Sequence, residues 1–265
     1  MKHYIKIMAL ALSALMLLSS CARTSNLPEV TTEDTTYVEK IIYPEPDGKR
    51  VVLLDAGHGF RDIGCDTDLM EGTEAEVTLA VTLMLKAELE ERGVEVILTH
   101  DGESFPTAET LKDLADKAGV EYMEEDIIEN DIFSAYERAI YSASIAEKEG
   151  IDLFLSLHVN SIENNPDISQ YEIDYYKENP YSTSLAVLAE SLSGKLDNKT
   201  KIFADDYENA FLVTKHGTHP SMLFEMGYAT NERDAENLNS EKWREDFANT
   251  LADEIVKWIS SFEEK

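Results

Sequence analysis

The chain has 265 residues, of which 43% are apolar and 9% aromatic. This composition can bury a sizeable core, so it excludes a chain that is disordered throughout. It holds 23 basic and 53 acidic side chains, a net charge of −30. Because such a charge repels phosphate backbones, we expect no nucleic-acid partner.

The first twenty residues have the features of an export signal. Basic residues precede an apolar stretch at 8–18, and Leu18-Ser19-Ser20-Cys21 follows at once. The stretch is shorter than the roughly 20 residues that span a bilayer. The four residues ending in Cys21 resemble a bacterial lipobox, which implies cleavage before Cys21 and lipid on its thiol. We therefore expect a lipoprotein signal peptide over 1–20; the alternative is an ordinary signal peptide that contains a cysteine.

That interpretation also predicts a location. The protein would be exported and held at the membrane by its lipid anchor, either on the outer face of the cytoplasmic membrane or in the periplasm. Residues 21–48 would form the lipidated cysteine and an acidic tether, since they hold three prolines and no sustained periodicity. An N-terminal strand that includes Ile41 and Ile42 is the alternative for part of this segment. With Cys21 lipidated, Cys65 has no disulfide partner within the chain, and we expect it to be a small packed residue.

From Arg50 onward, short apolar runs alternate with longer amphipathic stretches. Alternating strands and helices are typical of a parallel α/β arrangement. We therefore predict one α/β domain over 49–265, with a mostly parallel sheet flanked by helices. The pattern predicts strands at 51–54, 94–99, 151–157 and 171–176, a short apolar run at 221–225, and helices at 74–92, 107–117, 131–149, 182–192 and from 241 onward.

Three residues that can carry chemistry fall at the ends of apolar runs. His58 follows the first strand, His158 ends the third, and Glu225 ends the run at 221–225. Open parallel sheets place their sites at the carboxyl ends of their strands. A lone histidine is more often structural, but two at equivalent topological positions favour a site. Glu225 has a structural alternative, a buried ion pair with Lys215 or Arg138.

Glu74 stands at the predicted start of a helix. Thr73 and Glu76 have the spacing of a capping box, which gives Glu76 a structural role and leaves Glu74 free to point into the site. The alternative for Glu74 is an exposed carboxylate favoured by the helix dipole. Two imidazoles and a carboxylate are a ligand set that zinc uses when a fourth position stays open for water. Together with a second carboxylate to carry protons, they suggest a hydrolytic zinc site.

Four segments carry a resemblance to a known family. They read VLLDAGHG at 52–59, EAEVTLA at 74–80, LSLHVN at 155–160 and PSMLFEMGYATN at 220–231. In this order they resemble the zinc-dependent N-acetylmuramoyl-L-alanine amidases of the type 3 class, and the resemblance extends over residues 50–263.

The resemblance implies a phosphorylase/hydrolase-like α/β fold in which His58, Glu74 and His158 hold zinc and Glu225 is the catalytic carboxylate. It also implies peptidoglycan as substrate. The bond cleaved would be the amide between N-acetylmuramic acid and L-alanine, in cell-wall remodelling or daughter-cell separation. Two alternatives stay open: a non-catalytic homologue that binds cell wall or a partner, and a zinc peptidase that acts on the stem peptide.

The resemblance and the spacing also lead to expectations for further residues. Asn160, His216 and His219 are expected to line the substrate groove, whereas His100 is expected at the surface. The stretch at 102–130 is longer than the family usually has at this point. We expect it to be a solvated surface excursion, with a lid or an element that docks a partner such as a regulator as the alternative.

Overall fold

A computed structural model describes residues 41–44, 48–127 and 132–262 of the chain. The predicted signal peptide, Cys21 and most of the predicted tether lie outside the described residues. Within them, no helix is long and apolar enough to cross a membrane. The elements are β1 (Val51–Ala56), α1 (Glu74–Glu91), β2 (Glu95–Leu98), α2 (Ala108–Ala118), a 3-10 turn (Glu124–Asp126), α3 (Ala135–Glu149), β3 (Leu153–Asn160), β4 (Tyr171–Tyr176), α4 (Ser182–Ser193), β5 (Thr200–Asp205), α5 (Leu212–Lys215), β6 (Ser221–Tyr228), α6 (Glu232–Asn239) and α7 (Glu241–Ser260).

The strands form one sheet in the order β2-β1-β3-β6-β4-β5. The first four in this order run parallel to one another, β4 runs antiparallel to β6, and β5 is parallel to β4. The predicted mostly parallel α/β sheet is therefore confirmed. Because β4 runs in the opposite direction, it begins at the end of the sheet where the carboxyl ends of β1, β3 and β6 lie.

Helices cover both faces of the sheet because the central strands are apolar on both sides. Val52 and Leu54 of β1 pack into a core with residues of α1, α4 and α7. Val51 and Leu53 point to the other face, where they pack with residues of α3. The two cores hold every central strand in place, so the loops at the strand ends are built on a rigid frame.

Three details depart from the sequence-based predictions. The helix predicted from residue 131 begins at Ala135, because Ser134 caps it and Glu137 completes a capping box. Strand β5 and the short helices α5 and α6 were not predicted, since their sequences show little apolar periodicity. Ile41 and Ile42 are exposed and belong to no strand, although the backbone N–H of Ile42 donates to Thr183 Oγ1 at 3.0 Å.

The predicted excursion at 102–130 packs onto the domain through part of its length. Helix α2 buries Leu111 and Ala115 in a small cluster with Ile127, Phe133 and Ile140. Its outer face carries exposed charged side chains, and Met123 next to the 3-10 turn is 47% exposed. The described part of this excursion is therefore a folded addition beside α3.

Candidate metal centre

The predicted site residues gather at the carboxyl ends of β1, β3 and β6. His58 follows β1 by two residues, and His158 of β3 lies in register with Glu225 of β6. Glu74 is the first residue of α1, which starts after the loop that leaves β1. The structure thus brings together four residues whose sequence positions differ by up to 167.

The loop that carries His58 has a strained backbone. His58 has a φ of +65° and Phe60 a φ of +59°, values that residues other than glycine rarely adopt. Hydrogen bonds on both sides of Gly57 hold the chain there: its N–H donates to Leu157 O at 2.8 Å, and its O accepts from Thr78 Oγ1 at 2.7 Å. A Cβ on Gly57 would lie 2.5 Å from the ring of His158, so only glycine fits this close approach.

Glu74 is buried, with 4% of its surface exposed, so the alternative of an exposed carboxylate is wrong. Thr73 caps the helix and Glu76 completes the predicted capping box. The Glu74 carboxylate therefore points inward, where Oε2 accepts from Cys65 N at 2.9 Å and Oε1 accepts from Val159 N at 3.0 Å. These backbone donors fix the carboxylate in one orientation.

The two histidines face the same oxygen of Glu74. His58 Nε2 lies 3.2 Å and His158 Nδ1 3.1 Å from Glu74 Oε1. One ligand atom from each of the three residues lies within 4.8 Å of the others, and among the described residues this is the group that could hold a metal ion. A Cβ on Gly64 would lie 2.5 Å from Glu74 Oε2, so the loop closes tightly around the group.

The electrostatics of the three residues favour a bound cation. Burial lowers the pKa of His58, but the close carboxylates of Asp62 and Glu74 outweigh it and raise that pKa to about 9. Burial opposes ionisation of Glu74, yet the hydrogen bonds to His158 and His58 hold its pKa well below the usual range. For His158, burial dominates and lowers the pKa despite the attraction of Glu74. An ionised carboxylate between two imidazoles is suited to a metal ion.

Asp62 is a residue of this site that the sequence analysis missed. Its Oδ2 lies 2.9 Å from His58 Nδ1, the ring nitrogen opposite the one that faces Glu74. Reciprocal backbone hydrogen bonds between Gly59 and Asp62, of 2.7 and 3.0 Å, hold the turn that places it there. A carboxylate behind a metal-binding histidine orients the ring and fixes its tautomer. The available signal was an acid four residues after His58 within a glycine-rich loop.

A buried polar network supports the start of the same loop. Asp55 is fully buried and accepts hydrogen bonds from Thr99 Oγ1 at 2.7 Å and Ser156 Oγ at 2.6 Å. Arg138 donates to Ala56 O at 3.2 Å, with its Nε 3.8 Å from Asp55 Oδ1. His100 Nε2 also lies 2.9 Å from Ala56 O.

His100 is only 4% exposed, so the prediction that it lies at the surface is wrong. Thr99 and His100, which follow β2, are both buried, and the His100 ring packs beneath the loop that carries His58. Its partner is a backbone carbonyl, which no sequence pattern reveals.

Glu225, the predicted catalytic carboxylate, is 8% exposed and lies beside His158 on the neighbouring strand. The structure places the two cations of the structural alternative elsewhere. Lys215 Nζ donates to Tyr207 O at 2.8 Å and lies 4.5 Å from the centre of the Tyr207 ring. Arg138 contacts the start of the His58 loop, as described above.

Asn160 lies at the end of β3, next to the metal group. Its Nδ2 donates to Glu172 Oε2 at 3.0 Å and its Oδ1 accepts from Ser161 N at 2.8 Å. Both ends of its side-chain amide are therefore engaged within the protein, and a role of Asn160 in substrate binding stays a prediction.

His216 and His219 lie before the start of β6, at the opposite edge of the sheet from Glu225. His219 is buried against the ring of Phe154 near the beginning of β3, with ring centres 6.2 Å apart. The structure therefore does not bring these two histidines to the predicted substrate groove. They line a separate cavity of about 240 Å³ together with Val120, Glu121, Ala143, Glu147, Gly217 and Thr218.

Cys65 is partly buried beside Glu74 and packs against the main core. Burial and then the charge of Glu74 raise the pKa of its thiol well above the usual range. This agrees with the predicted small packed residue.

Comparison with known proteins defines the class of this fold and site. Residues 52–257 match the family described as N-acetylmuramoyl-L-alanine amidase, which covers most of the chain and confirms the resemblance drawn from the four motifs. The chain belongs to this amidase family. It is 25% identical to the N-acetylmuramoyl-L-alanine amidase AmiA of Escherichia coli K12, over 82% of this chain and 78% of AmiA.

Solved structures show the same fold. The amidase AmiC2 of Nostoc punctiforme superimposes with a TM-score of 0.59 at 26% identity, over 80% of this chain and 98% of AmiC2. The CwlD amidase of Clostridioides difficile, solved in complex with the GerS lipoprotein, gives a TM-score of 0.55 at 23% identity, over 80% of this chain and all of CwlD. The similarity to CwlD concerns the fold alone.

Proposed function

We propose that the chain is a zinc-dependent amidase that cleaves the bond between N-acetylmuramic acid and L-alanine in peptidoglycan. One observation carries the proposal: in a chain of this family, His58, Glu74 and His158 converge on one point and Glu225 lies in register with His158. The non-catalytic homologue is less favoured because all four residues are present and close to one another.

The donor set fits zinc. Zinc binds imidazole and carboxylate at roughly 2.0–2.2 Å, so two of its tetrahedral ligand atoms lie roughly 3.3–3.6 Å apart. The distances of 3.1 and 3.2 Å from the two imidazole nitrogens to Glu74 Oε1 come close to this requirement. Bound zinc would polarise the substrate carbonyl and lower the pKa of a water molecule.

Each of the acidic residues of the site has a separate role in the proposed reaction. Glu225 takes a proton from the attacking water and later delivers it to the nitrogen of the departing alanine. Glu74 stays ionised between the two imidazoles, and its two backbone donors prevent it from turning away. Asp62 keeps the His58 ring oriented. Glu225 is therefore the proton carrier and Glu74 a ligand.

Digestion of purified peptidoglycan tests this function. We expect the zinc-loaded protein to release intact glycan and peptides that begin with L-alanine, both identified by mass spectrometry. Peptides cut internally would instead support the stem-peptide peptidase. Absence of products from a folded, zinc-loaded protein would support the non-catalytic homologue. Glu225→Gln, prepared in the same way, is the matched control for contaminating amidases.

We also propose that the protein acts outside the cytoplasm, tethered through a lipid on Cys21. This rests on the lipobox-like residues and on a substrate that lies in the cell envelope. Cys21→Ala should move the protein from the membrane fraction to the soluble fraction while the activity per molecule stays unchanged. A Cys21→Ala protein that still needs detergent for release would contradict the lipid anchor.

The excursion at 102–130 is our candidate for regulator docking. Its described part is a folded addition whose outer face exposes charged side chains and 47% of Met123. CwlD, a relative in fold, was solved with a lipoprotein partner. Met123→Glu, which changes an exposed side chain and leaves the buried cluster in place, should keep basal activity and abolish only the response to the partner.

A further inference from the structure

The sheet aligns a third residue with His158 and Glu225. His158 of β3 is in register with Glu225 of β6, and Glu225 is in register with Glu172 of β4. Side chains of register partners lie on the same face of a sheet, and neighbouring strands are roughly 4.8 Å apart. Glu172 therefore lies next to Glu225, on the side away from His158 and the metal group.

Hydrogen bonds from three directions hold the Glu172 carboxylate. Oε1 accepts from Gln170 Nε2 and from the Tyr228 hydroxyl, both at 2.6 Å, and Oε2 accepts from Asn160 Nδ2 at 3.0 Å. Gln170 and Tyr228 are buried, whereas Glu172 itself is half-buried. Among the residues that the structure describes, its hydrogen-bond partners are all neutral. On its other side Glu172 is in register with Lys201 of β5, but no described cation forms an ion pair with its carboxylate.

The proposed reaction generates an ammonium group, the new amino terminus of the peptide product, close to Glu225 and Glu172. The water oxygen bonds to the carbonyl carbon, the C–N bond breaks, and Glu225 delivers a proton to the leaving nitrogen. The acid product releases its remaining proton to solvent. The new amine takes up a proton and becomes an ammonium, because an α-amino group has a pKa of roughly 7.7–8.0. The nitrogen that becomes charged thus lies beside Glu225, with Glu172 as the next side chain in the row.

We propose that Glu172 binds the leaving-group side of the substrate and holds the new amino terminus of the peptide product. This inference rests on the proposed function. Glu172 offers a fixed, negatively charged acceptor with capacity for one more donor, since a carboxylate accepts about four hydrogen bonds and three are made here. A carboxylate of the substrate would be repelled at this position, and an ammonium would make a charge-assisted hydrogen bond.

Equilibrium binding of two peptides separates this role from catalysis. The probes are a short peptide that begins with L-alanine and the same peptide with an acetylated amino terminus. Calorimetry on the zinc-loaded full chain measures both affinities without any turnover. We expect the free amine to bind about tenfold more tightly or better, because acetylation removes the charge. Glu172→Gln should reduce this preference to about twofold.

Two further variants make the result specific. Glu254→Gln is a matched control, since Glu254 is another carboxylate that accepts a side-chain hydrogen bond, from Ser191 of α4, but it lies on α7. It should keep the full preference for the free amine. Tyr228→Phe removes one hydrogen bond to Glu172 but leaves the carboxylate, so most of the preference should remain.

The outcomes distinguish the possible failures. If Glu172→Gln prefers the free amine as strongly as the wild-type chain, or if neither peptide binds the wild-type chain, the role of Glu172 is overturned. If Tyr228→Phe loses the preference as fully as Glu172→Gln, Glu172 acts only by holding Tyr228, which also overturns direct binding. Failure of the proposed function would show separately, as a zinc-loaded protein that does not release peptides beginning with L-alanine from peptidoglycan.

Discussion

The chain holds two pairs of histidines at opposite ends of the same parallel strands, and the pairs have opposite surroundings. His58 and His158 meet carboxylates at the carboxyl edge, and those of Asp62 and Glu74 raise the pKa of His58 to about 9 against the effect of burial. At the other edge, burial and then the nearby His216 lower the pKa of His219 to about 4. The difference lies in the groups that each imidazole faces: His58 and His158 face the Glu74 carboxylate, whereas His219 packs against the ring of Phe154.

The largest effect is expected from variants that distinguish the roles of Glu225 and Glu74, the two carboxylates at the carboxyl ends of the parallel strands. Glu225→Gln should keep zinc and fold while turnover falls by roughly 10²–10⁴-fold, because a general acid-base is lost. Glu74→Gln should instead weaken zinc binding, and excess zinc should restore part of its activity. Zinc content and turnover are measured side by side on both variants. Loss of metal from Glu225→Gln, or full metal in an inactive Glu74→Gln, would reverse the two roles.

Alanine substitutions test the two histidine pairs directly. His158→Ala should lose most of the bound zinc, because two remaining ligands leave an incomplete and more hydrated site. His219→Ala, which removes a buried imidazole at the opposite edge, should retain one zinc per chain. Elemental analysis of both purified proteins is the measurement. Full zinc in His158→Ala, or zinc loss in a folded His219→Ala, would mean that the ligand set is wrong.

A smaller effect is expected at Asp62. Asp62→Asn keeps the size of the side chain but weakens its hold on His58 Nδ1, so zinc affinity should fall by roughly 10–100-fold. Competition with a chelator of known affinity measures this change. Asp66→Asn, in the same loop, is a control for the loss of one negative charge. An Asp62→Asn protein with wild-type affinity would show that the 2.9 Å contact does not support the metal.

The smallest effect is the contribution of His219, at the amino ends of the parallel strands, to the free energy of unfolding. The pKa of His219 is about 4 in the fold, so this residue is neutral there, whereas the unfolded chain takes up the proton below a pH of roughly 6.5. Stability from this residue is therefore present above pH 6.5 and is lost as the pH falls toward 4. The loss at pH 5 is about 2 kcal/mol.

Denaturant unfolding at pH 7.5 and pH 5 measures that loss. His219→Gln should be less stable at pH 7.5, yet it should lose about 2 kcal/mol less than the wild-type chain on acidification. Comparing the differences between the two pH values cancels the many carboxylates that titrate in both proteins. Equal losses in the two proteins would contradict the low pKa of His219.

The sequence predicts that His58, Glu74 and His158 lie together because strand ends are local features. His58, Glu74 and His158 each follow or begin an element with clear periodicity, and a parallel sheet brings such ends together. The position of His219 could not be predicted in the same way. It lies only six residues before Glu225 in the sequence. Most of β6 lies between the two residues, so they are at opposite ends of the strand.

The residues that support the ligands were harder to predict. Arg138 and His100 act on the backbone carbonyl of Ala56, and a carbonyl has no sequence signature. Glu172 was missed because its position next to Glu225 depends on β4 running antiparallel to β6, and apolar alternation does not encode strand direction. The capping box at Ser134, in contrast, was readable and would have corrected the start of α3.

The reversed direction of β4 also makes one connection adaptable. Because β3 ends and β4 begins at the same edge, residues 161–170 join Asn160 to Tyr171 without leaving the side of the sheet that holds the metal group. Insertions there would add material over the groove while the sheet and the ligand loop stay unchanged. The connection is thus a place where evolution or an engineer can alter access to the site independently of its chemistry.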